Sequence, residues 1–330
     1  GIQNYLDVPG LMDATQGTSH DEIAKLFFER LQLEFPPGET WSYSNSAYLL
    51  LGNIVEKTSG KTYWEFLDER IFKPLGMKAT RSSEPRAVVP RRAAGYEWRG
   101  DRFENRPPLT DNAYAAGSIV STVQDMAKWD PGKVLAKQSL DTMWTPNKAR
   151  GGAIAPFNYG FGWFVDIWHG RRVVSHTGGT PGFSSALYRF ADDRLTVIVL
   201  TNHTDRVIDH LAVDVVGLYV PALARPKTAS ADPDPERSRM LRETLLGLFE
   251  GRHDPARFTP AMQTFLKTTV GKGIWGWAAA DGPMKSFTFG ESEKAGDARI
   301  LRYKTTLGNV TRWFSFTLTG EGRVAQVFWW

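Results

Sequence analysis

The sequence predicts an α+β fold in two parts. Helix signals dominate residues 20 to 130, and a period of two takes over from 160 to 202. The same succession of helix and then strands repeats on a smaller scale after residue 234. Ser19-His20-Asp21-Glu22 is a capping box opening a helix with Ile23, Leu26, Phe27 and Leu31 on one face, and Pro36-Pro37-Gly38 ends that segment. A second helix is expected from Ser44 through Leu49, Leu50 and Ile54 to Gly60, which suits the position past a helix end. A third opens on the capping box Thr62-Tyr63-Trp64-Glu65 and should close before Pro74-Leu75-Gly76. Residues 79 to 113, rich in Arg, Pro and Gly without clear period, read as a surface excursion. A short helix follows Ser121-Thr122 with Val123, Met126, Ala127 and Trp129. Strands are then expected at Gly160 to Ile167, Arg171 to His176, Ser184 to Phe190 and Leu195 to Asn202. Gly170, Gly178-Gly179 and Asp192-Asp193 should separate them.

The first part is therefore expected over 1–221, a linker with two prolines over 222–233, and a small α+β module over 234–330. In that module Asp234 and Pro235 start a helix that stops at Gly251. A short helix near Pro260 to Leu266 precedes strands at Lys285 to Phe289, Arg299 to Leu307, Val310 to Leu318 and Val324 to Trp330. The module carries no recognisable chemistry, His253 being its only histidine, and reads as a packing or dimerisation unit from which a homo-oligomer would follow.

Composition narrows the function. The chain has 330 residues, 42% hydrophobic and 23% charged, enough for one large domain or two smaller ones. Forty basic and 36 acidic residues leave a formal charge of +4, scattered in nothing longer than pairs such as Arg91-Arg92 and Arg171-Arg172. That is a solvated surface and speaks against a nucleic-acid partner. No apolar run approaches the ~18 residues of a membrane span. Without cysteine there is no disulfide, thiolate metal site or cysteine nucleophile. The first residue is Gly1 and the first methionine Met12, so the natural start and any signal peptide are expected upstream.

Two short motifs carry the chemistry. Tyr43-Ser44-Asn45 stands at a helix entrance, and His176-Thr177-Gly178-Gly179 at the end of a strand. Alone, Tyr43 would be an amphipathic tyrosine, Asn45 a capping amide and His176 a satisfied strand-end histidine. Other strings stand in order around them. These are Pro36-Pro37-Gly38, Leu75-Gly76-Met77, Ala115-Ala116-Gly117 with Ser121-Thr122 and Asp125, Tyr159-Gly160-Phe161-Gly162-Trp163, Thr180-Pro181-Gly182 and Leu200-Thr201-Asn202. Together they resemble the serine β-lactamase, penicillin-binding protein and related esterase and D-aminopeptidase family, in its class C β-lactamase-like branch with Tyr-x-Asn.

The resemblance implies an antiparallel sheet flanked by helices, an acyl-enzyme formed by a serine, small ester, amide or peptide substrates, no metal or organic cofactor, and a periplasmic or secreted setting. It assigns Tyr43 as general base or proton shuttle, with the family's lysine and His176 as the cations that would stabilise its anion. Asn45 would hold that lysine and the substrate, and the Gly179 N–H would be an oxyanion donor. Thr177, Gly178 and Thr180 would line the substrate. His176 replaces a lysine, which favours neutral esters or amides over β-lactams or D-alanyl peptides. The family's Ser-x-x-Lys is missing: no serine has a lysine three positions on, Thr58 to Lys61 closes a helix, and Thr145 to Lys148 is broken by Pro146. The expectation is a chain that lacks its N-terminal, nucleophile-bearing part and is inactive alone. For the C-terminal module, helix followed by meander resembles the nuclear-transport-factor-2-like superfamily on pattern alone.

Three other readings compete. A non-catalytic ligand-binding or sensor protein of the same fold would need no serine. An α/β-hydrolase would need Gly-x-Ser-x-Gly, which Gly182-Phe183-Ser184-Ser185-Ala186 fails at its last position. A metal hydrolase finds no ligand spacing among His20, His169, His176, His203, His210 and His253.

Overall fold

A computed structural model describes residues 1–329 except 16, 84–87, 108–110, 154, 205–207 and 226–229. The helix signals are realised locally. Helix α1 (His20–Arg30) starts on the reciprocal box of Ser19 and Glu22, and buries Ile23 and Phe27 against Tyr5, Leu11, Leu49 and Tyr114. Helix α2 (Asn45–Ser59) is capped by the Ser44 hydroxyl, which accepts from the Ala47 N–H at 3.2 Å, and ends on Gly60 at φ +69°. Helix α3 (Tyr63–Leu67) opens on the Thr62 and Glu65 box. It then runs on past its expected end, through a widened turn at Asp68–Phe72 and a last turn at Lys73–Leu75, to Gly76 at φ +67°. The widened turn already breaks the regular ladder, so the N–H that Pro74 lacks is not missed. After Thr122 the helix is only Val123–Met126.

The first sheet is an antiparallel meander, β1 (Phe164–Trp168), β2 (Arg171–Thr180), β3 (Phe183–Phe190) and β4 (Leu195–Thr201), in that spatial order. Two expectations are corrected here. Gly178 and Gly179 do not form the turn after β2: they lie in the ladder opposite Ser185 and Ser184, and the reversal falls at Pro181-Gly182, with Gly182 at φ +81°. Glycine can take extended backbone as readily as a turn, and Pro181 cannot donate to a ladder. Strand β1 starts four residues later than expected, because Gly160 is wedged where a Cβ would come within 2.3 Å of the Met143 carbonyl oxygen. Helix α4 (Ile208–Tyr219), which the sequence reading missed, seals this sheet with Ala212, Val213 and Val216 against Phe190 and Val197. Its valines read as readily as strand.

The excursion from 79 to 113 is not wholly aperiodic either, although 84–87 and 108–110 lie outside the described residues. A hairpin of Tyr96–Arg99 and Arg102–Asn105 is pinned to the sheet end, where the Tyr96 N–H donates to Asn202 O at 3.0 Å and the Thr204 N–H to Tyr96 O at 3.1 Å.

The C-terminal part contains α5 (Pro235–Phe249), capped by Asp234, then α6 (Pro260–Phe265) and α7 (Thr269–Ala279). The last was missed because Gly271, Gly273 and Gly276 depress its helix signal. Strands β5 (Met284–Ala295), β6 (Ala298–Leu307), β7 (Val310–Leu318) and β8 (Val324–Trp329) form a second antiparallel meander, with Trp330 outside the described residues.

Its core of Leu241, Leu245, Phe258, Met262, Phe265, Tyr303, Phe314 and Phe316 does not stop at the linker. Phe157 belongs to the same cluster, and Trp41 and Phe164 pack against it. Leu223, at the start of the expected linker, is fully buried under α4, while 226–229 lie outside the described residues. A polar seam adds to the contact. Arg302 of β6, 3% exposed, donates to Glu291 at 3.0 Å, Glu293 at 2.9 Å and the Ile167 carbonyl oxygen at 2.8 Å. Glu293 in turn accepts from the His169 and Gly170 backbone N–H groups at the turn between β1 and β2. Among the described residues no helix is long and apolar enough to cross a membrane.

Candidate active site

Tyr43 is placed by the last extended residues before α2, and its ring lies 6.1 Å, centroid to centroid, from that of His176 on β2. The two motif residues thus meet, from elements distant in sequence. Burial pushes the Tyr43 hydroxyl above the ordinary phenol value, and the Tyr48 phenol adds to the effect. Asn45, the first residue of α2, is turned into a different partnership. Its backbone N–H and its side-chain amide both donate to Asn4 Oδ1, at 3.1 and 3.2 Å, and buried Asn4 donates to Asp7 at 2.9 Å.

His176 is enclosed by Phe164 at 5.4 Å and Tyr159 at 5.9 Å between ring centroids. Burial lowers its pKa, against which the bond from Nδ1 to the Thr177 carbonyl oxygen, 2.5 Å, works in the other direction. Its Nε2 lies 2.9 Å from the Tyr159 hydroxyl. Burial thus works against the cationic imidazole that was expected to support a Tyr43 anion, and both of its nitrogens have partners.

The strand end beyond His176 is open. Gly178 and Gly179 are exposed, Thr177 and Thr180 half-buried. A Cβ on Gly178 would come within 2.5 Å of Ser185 Oγ, whereas one on Gly179 would meet nothing within 4 Å. Side-chain alternation puts His176, Gly178 and Thr180 on one face of β2 and Thr177 and Gly179 on the other.

Sequence reasoning missed two residues of this cluster. Tyr48, one turn into α2, is hydrogen-bonded to Tyr159, and burial raises its pKa. Tyr159 is 6% exposed, and its hydroxyl is pushed far up by burial and then by the neighbouring Tyr48 and Tyr43 phenols. The signal for Tyr159 was in the string Tyr159-Gly160-Phe161-Gly162-Trp163, which carries no obvious chemistry when read alone. Among the described residues no group of three or more His, Asp or Glu side chains is arranged to hold a metal ion.

The family model described as Beta-lactamase matches residues 7–217, the span that contains both motifs, the first helices and the first sheet. The chain belongs to the β-lactamase family. Two curated relatives of this β-lactamase-family chain show how much of them it represents. It is 33% identical to penicillin-binding protein 4* of Bacillus subtilis (strain 168) over 203 residues, covering 56% of this chain and 44% of that protein. It is 29% identical to a D-aminopeptidase of Gluconobacter oxydans (strain 621H) over 272 residues, covering 79% of this chain and 49% of that protein. The chain thus spans about half the length of the curated relatives it matches. Among solved structures, an octameric penicillin-binding protein homologue from Pyrococcus abyssi superposes with a TM-score of 0.55 at 19% identity, over 98% of this chain and 70% of that one. That likeness of fold continues through the C-terminal meander.

Proposed function

We propose that this chain supplies the tyrosine and active-site-strand half of a serine hydrolase that cleaves amide or ester bonds through an acyl-enzyme, with peptides or amides of D-amino acids as the favoured substrate class. The observation that supports it best is the pairing of Tyr43 with His176 at the mouth of β2, beside two exposed glycines. The relative named D-aminopeptidase is what supports D-amino acid substrates over the neutral esters or amides that His176 by itself favours. Burial works against a cation at the lysine position, which speaks against β-lactams, whose carboxylate a permanent cation would hold.

The chemistry runs in two steps. A serine hydroxyl from residues outside this chain attacks the carbonyl carbon, and its proton passes to the Tyr43 oxygen. Tyr43 then returns that proton to the leaving amine or alcohol, and water repeats the sequence on the acyl-enzyme. A buried phenol is a poor base by itself, so an ammonium beside Tyr43 is required to bring its pKa down. The Asn45 carbonyl oxygen is the group we assign to hold that ammonium, since its amide nitrogen is given to Asn4. The Gly179 N–H is our candidate oxyanion donor, with Thr177, Gly178 and Thr180 along the substrate.

The test compares this 330-residue chain with a protein extended upstream to include a Ser-x-x-Lys segment. We expect no burst of acyl product from an activated acetate ester, a chromogenic cephalosporin or a D-amino acid anilide with the chain alone, and turnover with the extended protein. Tyr43→Phe in the extended protein should then lower turnover by at least ~100-fold, the scale of lost general-base catalysis. An unchanged rate would remove Tyr43 from the mechanism. Substrate binding without turnover by the extended protein would favour the ligand-binding reading of the same cleft.

A further inference from the structure

The loop that leads into β1 is held in a conformation that side-chain-bearing residues rarely adopt. Phe157, at φ +67°, and Asn158, at φ +44°, are consecutive non-glycine residues in the left-handed region. Such backbone persists only where the surroundings over-determine it. Here they do so from the C-terminal part. The Phe157 ring is 5.2 Å from Phe265 of α6 and 6.1 Å from Phe328 of β8, and 5.2 Å from Trp41, which itself faces Phe265 at 6.4 Å. Two anchors hold the Trp41 segment to the same helices. The Thr40 hydroxyl donates to Ala261 O at 2.7 Å, and Glu34 Oε1 accepts from the backbone N–H and hydroxyl of Thr269, at 2.5 and 2.6 Å.

This anchored loop delivers Tyr159. Its carbonyl oxygen accepts from the Asn147 N–H at 2.9 Å, and its hydroxyl faces His176 Nε2 at 2.9 Å. A neutral imidazole has one N–H. With that hydrogen given from Nδ1 to the Thr177 carbonyl oxygen, Nε2 must accept, and Tyr159 O–H is the donor. Tyr159 oxygen can then accept from Tyr48, which makes a chain from Tyr48 through Tyr159 to His176 and the β2 backbone. The titratable groups facing His176 are Tyr43 from the entrance to α2 and Tyr159 from the loop, with Tyr48 of α2 behind Tyr159. Among the described residues none forms an ion pair with it.

We propose that Tyr159 is a positioning residue of the site: its hydroxyl fixes His176 as the Nδ1–H tautomer bonded to Thr177, and the C-terminal part of the chain holds Tyr159 in place through Phe157. The C-terminal sheet and helices are then part of how the site is built. This rests on reading the cleft as that of a hydrolase, but the state of the imidazole is measurable without any activity.

The experiment is NMR of the 330-residue chain labelled with 15N in the histidine rings, His176 being assigned by its loss in His176→Gln. In the parent, Nε2 should resonate as an unprotonated acceptor near pH 7 and the Nδ1 proton should exchange slowly with water. In Tyr159→Phe, which keeps the ring, we expect a mixture of tautomers and proton exchange faster by at least ~10-fold, as for any bond opened to solvent. Phe265→Leu, which leaves the hydroxyl in place but loosens the anchor, should move the same signals in the same direction. It stands in for Tyr159→Phe if that variant does not fold. Unchanged His176 signals in the folded variant overturn the proposal. Altered signals in the chain together with no turnover by the upstream-extended protein would uphold the positioning and sink the hydrolase reading. Turnover by the extended protein with an imidazole indifferent to Tyr159 would do the reverse.

Discussion

Replacing Arg302 by leucine should cost far more stability than removing a surface arginine. The guanidinium is 3% exposed and makes three hydrogen bonds, two of them to the carboxylates of Glu291 and Glu293, whose side chains are 19% and 14% exposed. Removing one partner of a buried ion pair strands the other, which typically costs about 3–5 kcal/mol. The residual exposure of the two glutamates lets water or a proton reach them, so the lower end of that range, about 3 kcal/mol, is expected. Urea unfolding near pH 7, followed by tryptophan fluorescence and far-ultraviolet circular dichroism, reads the difference. The same reasoning predicts that adding Glu291→Gln to Arg302→Leu recovers part of the loss, because a neutral amide is cheaper to leave without a cation, whereas Glu293 needs both of its oxygens for the His169 and Gly170 N–H groups. An Arg302→Leu protein within about 1 kcal/mol of the parent, or a double variant no more stable than the single one, would refute a seam held by charge.

Two further outcomes follow from the geometry of β2. Gly179→Ala should fold with unchanged stability, within about 0.5 kcal/mol, since its Cβ would meet nothing within 4 Å. In the extended protein it should nonetheless lower turnover, because the methyl enters space where a substrate would approach the strand. Equal activity would show that no substrate atom passes over the Cα of Gly179, since the variant keeps the backbone N–H. Because burial depresses the pKa of His176, the unfolded chain binds more protons than the folded one between the two values, so stability should decline as pH falls below about 6.5. Comparing melting temperatures of the parent and His176→Gln from pH 7.5 to 5 isolates this term. The acid-side decline should be shallower in the variant, and parallel curves would show that His176 titrates normally.

Helix starts were legible because capping is a matter of three or four consecutive residues, as the boxes at Ser19 and Thr62 and the caps at Ser44 and Asp234 bear out. Helices α4 and α7 escaped notice for a related reason. Their valines and glycines carry weak or contrary local preference, and it is the apolar face each one buries that makes them helices. The turn after β2 was misplaced because glycine serves both a turn and a ladder, and only the pairing of Gly178 with Ser185 decides between them.

What the sequence determined alone was the identity of the chemical groups, the order of the two motifs and the family to which they belong, all encoded in short strings whose residues sit side by side. The charge of His176, the part played by Tyr48 and Tyr159 and the reach of the C-terminal residues toward the site were decided only by tertiary structure. Protonation depends on what surrounds a ring, and the ring of His176 is surrounded by residues brought from positions 43, 159 and 164, with Phe265 and Phe328 packed behind them. Desolvation arises from that packing, which no local stretch of sequence specifies.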